Sequence, residues 1–360
     1  MRLDELHRNL TEREGYWLWG AWFLQPVAFL YSVAAAFHRF LYAKGLLPVR
    51  SFNTVVVSIG NIEVGGVGKT PVTIRIARSL SKMGIRTAVV CKNMSPGSVP
   101  PIAVRQGNAS GGPSLSDEAV LLGKLLGSSC SVYTAGDKTA AVERAVREMK
   151  PEVVIIDDGF QHHKLKKDIN IVVLNADHPF GQGGVLPTGT LRESSRALSH
   201  ADYLWINGVT SDAQLSLARR LVSGRNWKAP FVPSSVVPGK PQLYDGTTDR
   251  IGKVVAFCGI GKPQGFRSTL EKTGFEIAKF HIYPDHWNYT ESDTKHLLES
   301  LRKSSADYLI TTEKDAARLG PVAVKTMELR VLPIRLSVLD RSAEEELLGS
   351  ILELTGGNRD

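Results

Sequence analysis

TVVVSIGNIEVGGVGKTPVTIRIARSLSKMG (54–84) decides the fold. Its first part, Thr54 to Gly60, is a β-branched apolar run of the kind that forms a strand buried on both faces. From Pro71 onward, Val72, Ile76, Leu80 and Met83 fall on one face of a helix. Between the two, E63-V-G-G-V-G-K-T70 is a glycine-rich turn in the strand–turn–helix setting that a Walker A phosphate loop requires. Gly65, Gly66 and Gly68 let the backbone around Val67 curl so that its N–H groups point into one cavity, and the helix N-terminus adds partial positive charge. Lys69 is placed to reach the β- and γ-phosphates of ATP, and Thr70 to offer its hydroxyl to Mg²⁺. Glu63 stands where the usual pattern begins with glycine, and an ordinary glycine turn before a helix is the alternative reading.

Working outward, strand and helix alternate. IRTAVVC (85–91) predicts a strand, and Asn93 to Ser116 a loose segment rich in Pro, Gly and Ser. DEAVLLGKLLG (117–127) predicts a helix, SVYTA a strand, and KTAAVERAVREM (138–149) a helix with Val142, Ala145, Val146 and Met149 inward. VVIIDD (153–158) and INIVVL (169–174) are again buried strands, so a parallel β-α-β core follows. Composition turns polar over 209–250, where a boundary is expected, and the alternation resumes with VVAFC (254–258), helices from Pro263 and Glu291, DYLITT (307–312) and a last strand near LRVLPIRL (329–336). The expected fold class is α/β: a P-loop NTPase-like parallel sheet over 39–220, a smaller α/β domain over 221–360, and an N-terminal apolar helix within 1–38.

VVIIDDGFQHH (153–163) ends a buried strand in two carboxylates, Asp157 and Asp158, which resembles a Walker B element holding Mg²⁺. Adjacent carboxylates repel in a low-dielectric site unless a cation sits between them; the alternative is that one of them caps a turn at Gly159. Gln161, His162 and His163 read either as groups supporting the site from behind or as plain surface residues, His163 the weakest candidate of the three.

Tyr16 to Phe37 carries no charge and is crowded with aromatics in its first half. A span needs about 20 such residues, but Gln25 and Pro26 interrupt the middle. An interfacial or monotopic helix, a buried core helix and a true span are the three readings, the first favoured by the aromatic distribution. Acidic residues ahead of the run argue against a cleaved signal peptide. The net charge of +8, from 44 Lys+Arg against 36 Asp+Glu, suits an anionic partner such as a phosphorylated substrate or an acidic membrane. It is too scattered for nucleic acid. Three separated cysteines, Cys91, Cys130 and Cys258, form neither a disulfide framework nor a metal cluster.

SIGNIEVGGVGKTP (58–71), SDEAVLL (116–122), DDGFQHHKLKKDINIVVLNA (157–176), GGVLPTGTLRE (183–193), FCGIGKPQGF (257–266), PDHWNYT (284–290) and TTEKDAARL (311–319) resemble, in order, the tetraacyldisaccharide 4′-kinases of lipid A biosynthesis. The resemblance implies transfer of the ATP γ-phosphate to the 4′-hydroxyl of an acylated disaccharide 1-phosphate lipid. It also implies a peripheral or monotopic placement at the cytoplasmic face of a Gram-negative inner membrane, with no obligate protein partner. Carried over by residue, Asp117 matches the aspartate that accepts the hydroxyl proton, and His286 the histidine paired with it. Asp157 and Asp158 match the Mg²⁺ pair, and Arg192 and Glu193 the residues beside nucleotide and metal. Read alone, Asp117 is equally an N-cap, His286 a structural histidine and Arg192 a surface cation. TEKD (312–315) reads either as a purine-contacting loop or as a helix start capped by Thr312.

Cys91-Lys92-Asn93-Met94 replaces the usual Ser-Arg-Gly-Tyr, Ala119, Thr190 and Ser194 replace prolines, and Lys138 stands for arginine. Lysine lacks arginine's bidentate fork, so these departures bear on substrate fit more than on the reaction. A P-loop switch ATPase or GTPase working through a protein partner, or an inactive lipid-binding homologue, are the rival readings. Neither needs the GGVLPTGTLRE and PDHWNYT segments together with the retained Lys69, Asp117 and Asp157.

Overall fold

The computed structural model describes residues 22–93, 101–105, 108–109, 115–182, 184–223, 229–243, 251–261, 263–285 and 287–357. β1 (Val55–Gly60) is buried along its whole length, as its β-branched sequence requires. It lies between two parallel neighbours, β6 (Val153–Asp157) and β7 (Ile169–Asn175), with Val55 opposite Val153 and Val57 opposite Ile169. β2 (Thr87–Lys92) and β5 (Ser131–Ala135) extend the sheet on one side; β8 (Tyr203–Asn207) and β9 (Phe231–Pro238) extend it on the other. All seven run parallel. The segment expected to be loose contributes two edge strands, β3 (Ile102–Arg105) and β4 (Asn108–Ala109), paired antiparallel beyond β5.

Helices cover both faces. α2 (Lys69–Lys82) buries Val72, Ile76 and Leu80 as the pattern predicts, whereas Met83 caps the helix and lies half exposed. α3 (Asp117–Leu126) buries Ala119, Leu122 and Leu126 beside it, and α4 (Lys138–Met149) buries Ala141, Val142 and Ala145 under Val90 and Ile156. Each such Leu, Ile or Val stabilises by roughly 1.5–3 kcal/mol on leaving water.

A second, all-parallel sheet runs in the order β11 (Glu276–Ile282), β10 (Lys253–Cys258), β12 (Tyr308–Thr312), β13 (Arg330–Leu332). It packs with α6 (Pro263–Thr273), α7 (Glu291–Ser304) and α8 (Glu313–Thr326). Sheet membership corrects the expected boundary at 220. β9 belongs to the large sheet, and so does β14 (Ile334–Val338), which pairs antiparallel with it. α9 (Arg341–Gly357) packs on the large core through Leu347, Leu348 and Ile351. LRVLPIRL is therefore two strands in two sheets, with Pro333 at the crossing.

α1 (Gln25–Ala43) begins where the sequence reading placed an interruption. Pro26 sits in the first turn, where its missing N–H costs nothing. The helix runs through residue 38, so that expected boundary falls inside it. Trp22, Phe23, Phe29, Leu30 and Phe37 are exposed and only Ala28 is buried, which rules out the core-helix reading. Among the described residues no helix is long and apolar enough to cross a membrane.

The strand carrying the phosphate loop meets the acidic loop at Gly60. A Cβ there would lie 2.5 Å from Phe160 Cβ and 2.7 Å from Phe160 N. Because one of these is backbone, Gly60→Ala is expected to destabilise by roughly 1–3 kcal/mol. Urea denaturation checks this, and an unchanged midpoint would contradict the packing.

Candidate functional site

The phosphate loop needs glycine at two of its positions: Gly65 and Gly68 have φ of 110° and 87°, and Gly66 has open space where a Cβ would sit. The loop is held from behind by a buried relay. Trp205 Nε1 donates to Ser234 Oγ (2.7 Å), Ser234 donates to Asn207 Oδ1 (3.2 Å), and Asn207 Nδ2 donates to the Val67 carbonyl (3.0 Å). A Cβ on Gly68 would strike Asn207 Nδ2 at 2.0 Å. The Val67 side chain points into the core rather than into the cradle. Glu63, in the unusual first position, accepts from Thr190 Oγ1 (3.0 Å), tying the loop to the GGVLPTGTLRE segment.

Lys69 opens α2. Its Nζ donates to Asn61 Oδ1 (3.2 Å) and lies 3.4 Å from Asp158 Oδ1. Asp157 and Asp158 are adjacent in sequence but face apart. Asp157 ends β6, and Asp158 turns into the left-handed region at φ 53°. Asp157 accepts from Thr70 Oγ1 (3.2 Å) and Thr73 Oγ1 (2.9 Å). Asp158 accepts both bonds from Arg192 Nη1 (3.0 and 3.2 Å), while Lys138 Nζ donates to its carbonyl. Burial, with Asp158 alongside, raises the Asp157 carboxyl above its usual range. Burial alone would raise Asp158 too, but Lys69, Arg192 and Lys138 outweigh it and draw that carboxyl down to about 2.

These contacts sort the expected metal set. Thr70 and Asp157 are two hard oxygen donors within hydrogen-bond reach, and Asp157 is a buried carboxylate that a divalent cation would relieve. Mg²⁺ takes few protein ligands and keeps phosphate and water, so this pair fits it. Asp158 is already neutralised by Lys69 and Arg192. Glu193 is buried, and its Oε2 is taken by Arg39 of α1 at 2.6 and 3.1 Å, while its Oε1 is buried without a partner. Among the described residues no three His, Cys, Asp or Glu side chains converge on one metal position.

Asp117 is the first residue of α3, but Ser116 is the N-cap, accepting from Ala119 N at 3.3 Å. Asp117 Oδ2 instead meets Arg318 of α8, whose Nε and Nη2 both lie 2.9 Å away. Glu118 beside it is raised by burial and then by the charges of Asp157, Asp117 and Asp158, which puts the α3 N-terminus in electrostatic range of the strand end. His286 lies outside the described residues; its neighbour Asp285 is 3.9 Å from Arg318 Nη2. TEKD resolves as a helix start: Thr312 and Asp315 bond each other reciprocally, and Asp315 is fully buried, accepting from Gly259 N and Tyr289 Oη at 3.0 Å each. A carboxylate so enclosed does not read a purine.

Two cavities flank the cradle. One, of about 430 Å³, has Lys92, Lys138, Lys164 and Arg192 in its lining against Asp137 and Asp158, a cationic excess. The other, of about 670 Å³, runs between α1 and residues 193–200, with Phe29, Val33, Ala36 and Phe40 on one wall and the Arg39–Glu193 pair in it. Arg39 also stacks 4.7 Å over the Phe160 ring, and His38 and Tyr42 pack on His163. His163 is thus a packing residue, pushed down to about 3 by burial and then by Arg39. Asn61, Asn207, Arg39 and Arg318 escaped the sequence reading. Asn61 lies inside SIGNIEVGGVGKTP and Arg318 inside TTEKDAARL, so position in those segments was the one available signal.

The family model for tetraacyldisaccharide-1-P 4′-kinase matches residues 20–353. A tetraacyldisaccharide 4′-kinase of Syntrophus aciditrophicus is 32% identical over 348 residues, covering 90% of this chain and 91% of that protein. Its counterpart in Chlorobaculum parvum is 33% identical over 346 residues, covering 92% and 94%. The crystal structure of LpxK from Aquifex aeolicus in complex with ATP superposes with a TM-score of 0.72 at 26% identity, over 93% of this chain and 99% of that one.

Asp158 supplies a test of the charge arrangement. Its folded value of about 2 lies below the unfolded range near 3.9, so the stability it contributes is complete above about pH 4 and is lost as pH falls through about 2. Asp158→Asn is therefore expected to flatten the acid-side fall of unfolding free energy across that window, followed by denaturant titration. An identical slope in the variant would contradict the assignment.

Proposed function

The chain belongs to the tetraacyldisaccharide 4′-kinase family, and from that premise we propose how its residues divide the work. The activity is transfer of the γ-phosphate of ATP to the 4′-hydroxyl of a lipid disaccharide 1-phosphate, with Mg²⁺. One observation carries the assignment of roles: Lys69 and Thr70 of the phosphate loop each touch one of the two carboxylates ending β6.

The backbone N–H groups of 65–70 cradle the phosphates, and Lys69 neutralises charge on the transferring group. Thr70 and Asp157 would hold Mg²⁺, which would supply electrostatic stabilisation of the phosphate oxygens. Asp158 keeps Lys69 and Arg192 aimed at the same point, so that two cations converge without repelling one another apart. Asp117 accepts the proton of the acceptor hydroxyl, because an alcohol at neutral pH is a poor nucleophile until a positioned carboxylate draws on its proton. His286 pairs with Asp117 in that step. The cationic cavity beside Asp158 suits the phosphorylated end of the acceptor, where Lys92 and Lys138 supply point charges in place of arginine forks.

The apolar wall of α1 faces the acyl chains. Exposed Trp22, Phe23, Phe29, Leu30 and Phe37 on a helix followed by Lys44 and Arg50 support a location at the cytoplasmic face of the inner membrane, with this helix inserted into an anionic leaflet.

Incubating the protein with radiolabelled ATP and the disaccharide 1-phosphate lipid is expected to give a bis-phosphorylated lipid. Lys69→Ala should abolish it, and Asp117→Ala should lower turnover by about two orders of magnitude or more while ATP binding persists. Wild-type turnover in Asp117→Ala would refute the base assignment. Removing residues 1–38 is expected to reduce co-flotation with anionic vesicles, and undiminished flotation would refute the anchor.

A further inference from the structure

Arg318 occupies an unusual place for a side chain that is only 4% exposed. It belongs to the body built on the smaller sheet, yet its Nε and Nη2 both end on Asp117 Oδ2 across the boundary, 201 residues away in sequence. Its remaining nitrogen is spent at home: Nη1 donates to the Gly259 carbonyl, just past β10, and to Asp315 Oδ1 at 3.1 Å. Asp315 is itself immobilised by Gly259 N, Tyr289 Oη and Thr312 Oγ1. The guanidinium is thus a rigid fork, mounted on a buried frame in one body and aimed at one oxygen of a carboxylate in the other.

We propose that Arg318 is the positioning residue for the acceptor-hydroxyl step: it fixes the Asp117 carboxylate and keeps it ionised, and so makes the readiness of the base depend on how the two bodies are set against each other. The inference rests on Asp117 being the proton acceptor. A cation at hydrogen-bond distance favours the charged form of a carboxylate, and Nε donating to Oδ2 with Nη2 also 2.9 Å from it holds that oxygen in place. Among the described residues, Glu118 on α3, Asp157 and Asp158 at the end of β6, and Asp285 near Arg318 are carboxyl groups around this position, and Lys314 lies 3.9 Å from Asp285 Oδ1. His286, the proposed partner of Asp117, lies outside the described residues. Arg318 is a cation that bonds Asp117 directly in this acidic setting.

Turnover and KM for ATP are measured from about pH 3.5 to 9 on the full chain, in mixed micelles holding the disaccharide 1-phosphate lipid. The proteins compared are wild type, Arg318→Gln, Arg318→Lys and Asp117→Asn. In Arg318→Gln, kcat at pH 6 is expected to fall about tenfold or more with KM for ATP changed less than about threefold. The acid limb of the kcat profile should move up in pH, since losing the cation removes a group that favours the ionised carboxylate. Arg318→Lys restores the charge but not the fork, so its limb returns to the wild-type position while kcat stays several-fold low. A limb that does not move in Arg318→Gln makes Arg318 a strut and overturns the proposal. Thermal melts identify a variant that fails to fold. Should Arg318→Gln fail, Arg318→Lys decides, and wild-type kcat in it overturns the claim. Asp117→Asn separates the two readings: wild-type turnover there defeats Asp117 as the base. Lost turnover there with an unmoved Arg318→Gln limb defeats the role of Arg318 alone.

Discussion

The parallel pairing of β1 with β6 is the constraint on which the site depends. Register runs from Val55 opposite Val153 to Ile59 opposite Asp157, so the strand that launches the phosphate loop and the strand that ends in carboxylates finish at the same level. A slip of one residue would reverse every side chain on β6 and send Asp157 to the opposite face of the sheet. Both strands are buried on both faces, and Gly60 touches Phe160 too closely to admit a larger residue. The core therefore sets the spacing between Thr70 and Asp157, and chemistry at the sheet's edge inherits the precision of its packing.

Electrostatics then divides labour between neighbours that sequence makes equivalent. Two unit charges at about 4 Å interact by about 4 kcal/mol at an effective dielectric near 20, so two stacked carboxylates would be costly. The turn at Asp158 separates them. It leaves Asp157 among hydroxyls, where a metal ion has most to offer, and sends Asp158 among Lys69, Arg192 and Lys138. Glu193 is drawn the other way, to Arg39, which makes α1 part of the same charge network rather than an appendage.

The core of this arrangement was legible in the sequence because it is local. A phosphate loop and an acidic strand end are contiguous motifs, so spacing alone singles out Lys69, Thr70, Asp157 and Asp158, though not that Asp158 pairs with Lys69 and Arg192. Asn207, Arg39 and Arg318 could not, because each reaches its target through folding: Asn207 meets Val67, and Arg318 meets Asp117, across long stretches of chain. Asp117 is an N-cap candidate by sequence because it precedes a clear helix with Glu118 in its first turn, and only geometry shows that Ser116 accepts from the helix instead. The split of LRVLPIRL between two sheets was invisible for another reason. Two strands on either side of a proline have the same apolar texture as one strand, and nothing local marks a change of sheet. The polar stretch over 209–250 suggests a domain boundary, although β9 within it is half of an antiparallel pair.

The chain leaves the large sheet after β9 and comes back to it at β14, and the two passages lie side by side. Gly239 N bonds the Pro333 carbonyl at 2.8 Å, and Gln242 and Val331 exchange bonds at 2.8 and 2.9 Å. An object sewn on by two adjacent threads swings about the seam more readily than it slides along it. Any rotation about that seam would carry every group on the smaller sheet's rim, Arg318 among them, toward or away from the phosphate cradle together, and would have to break the Arg318–Asp117 contact to open it.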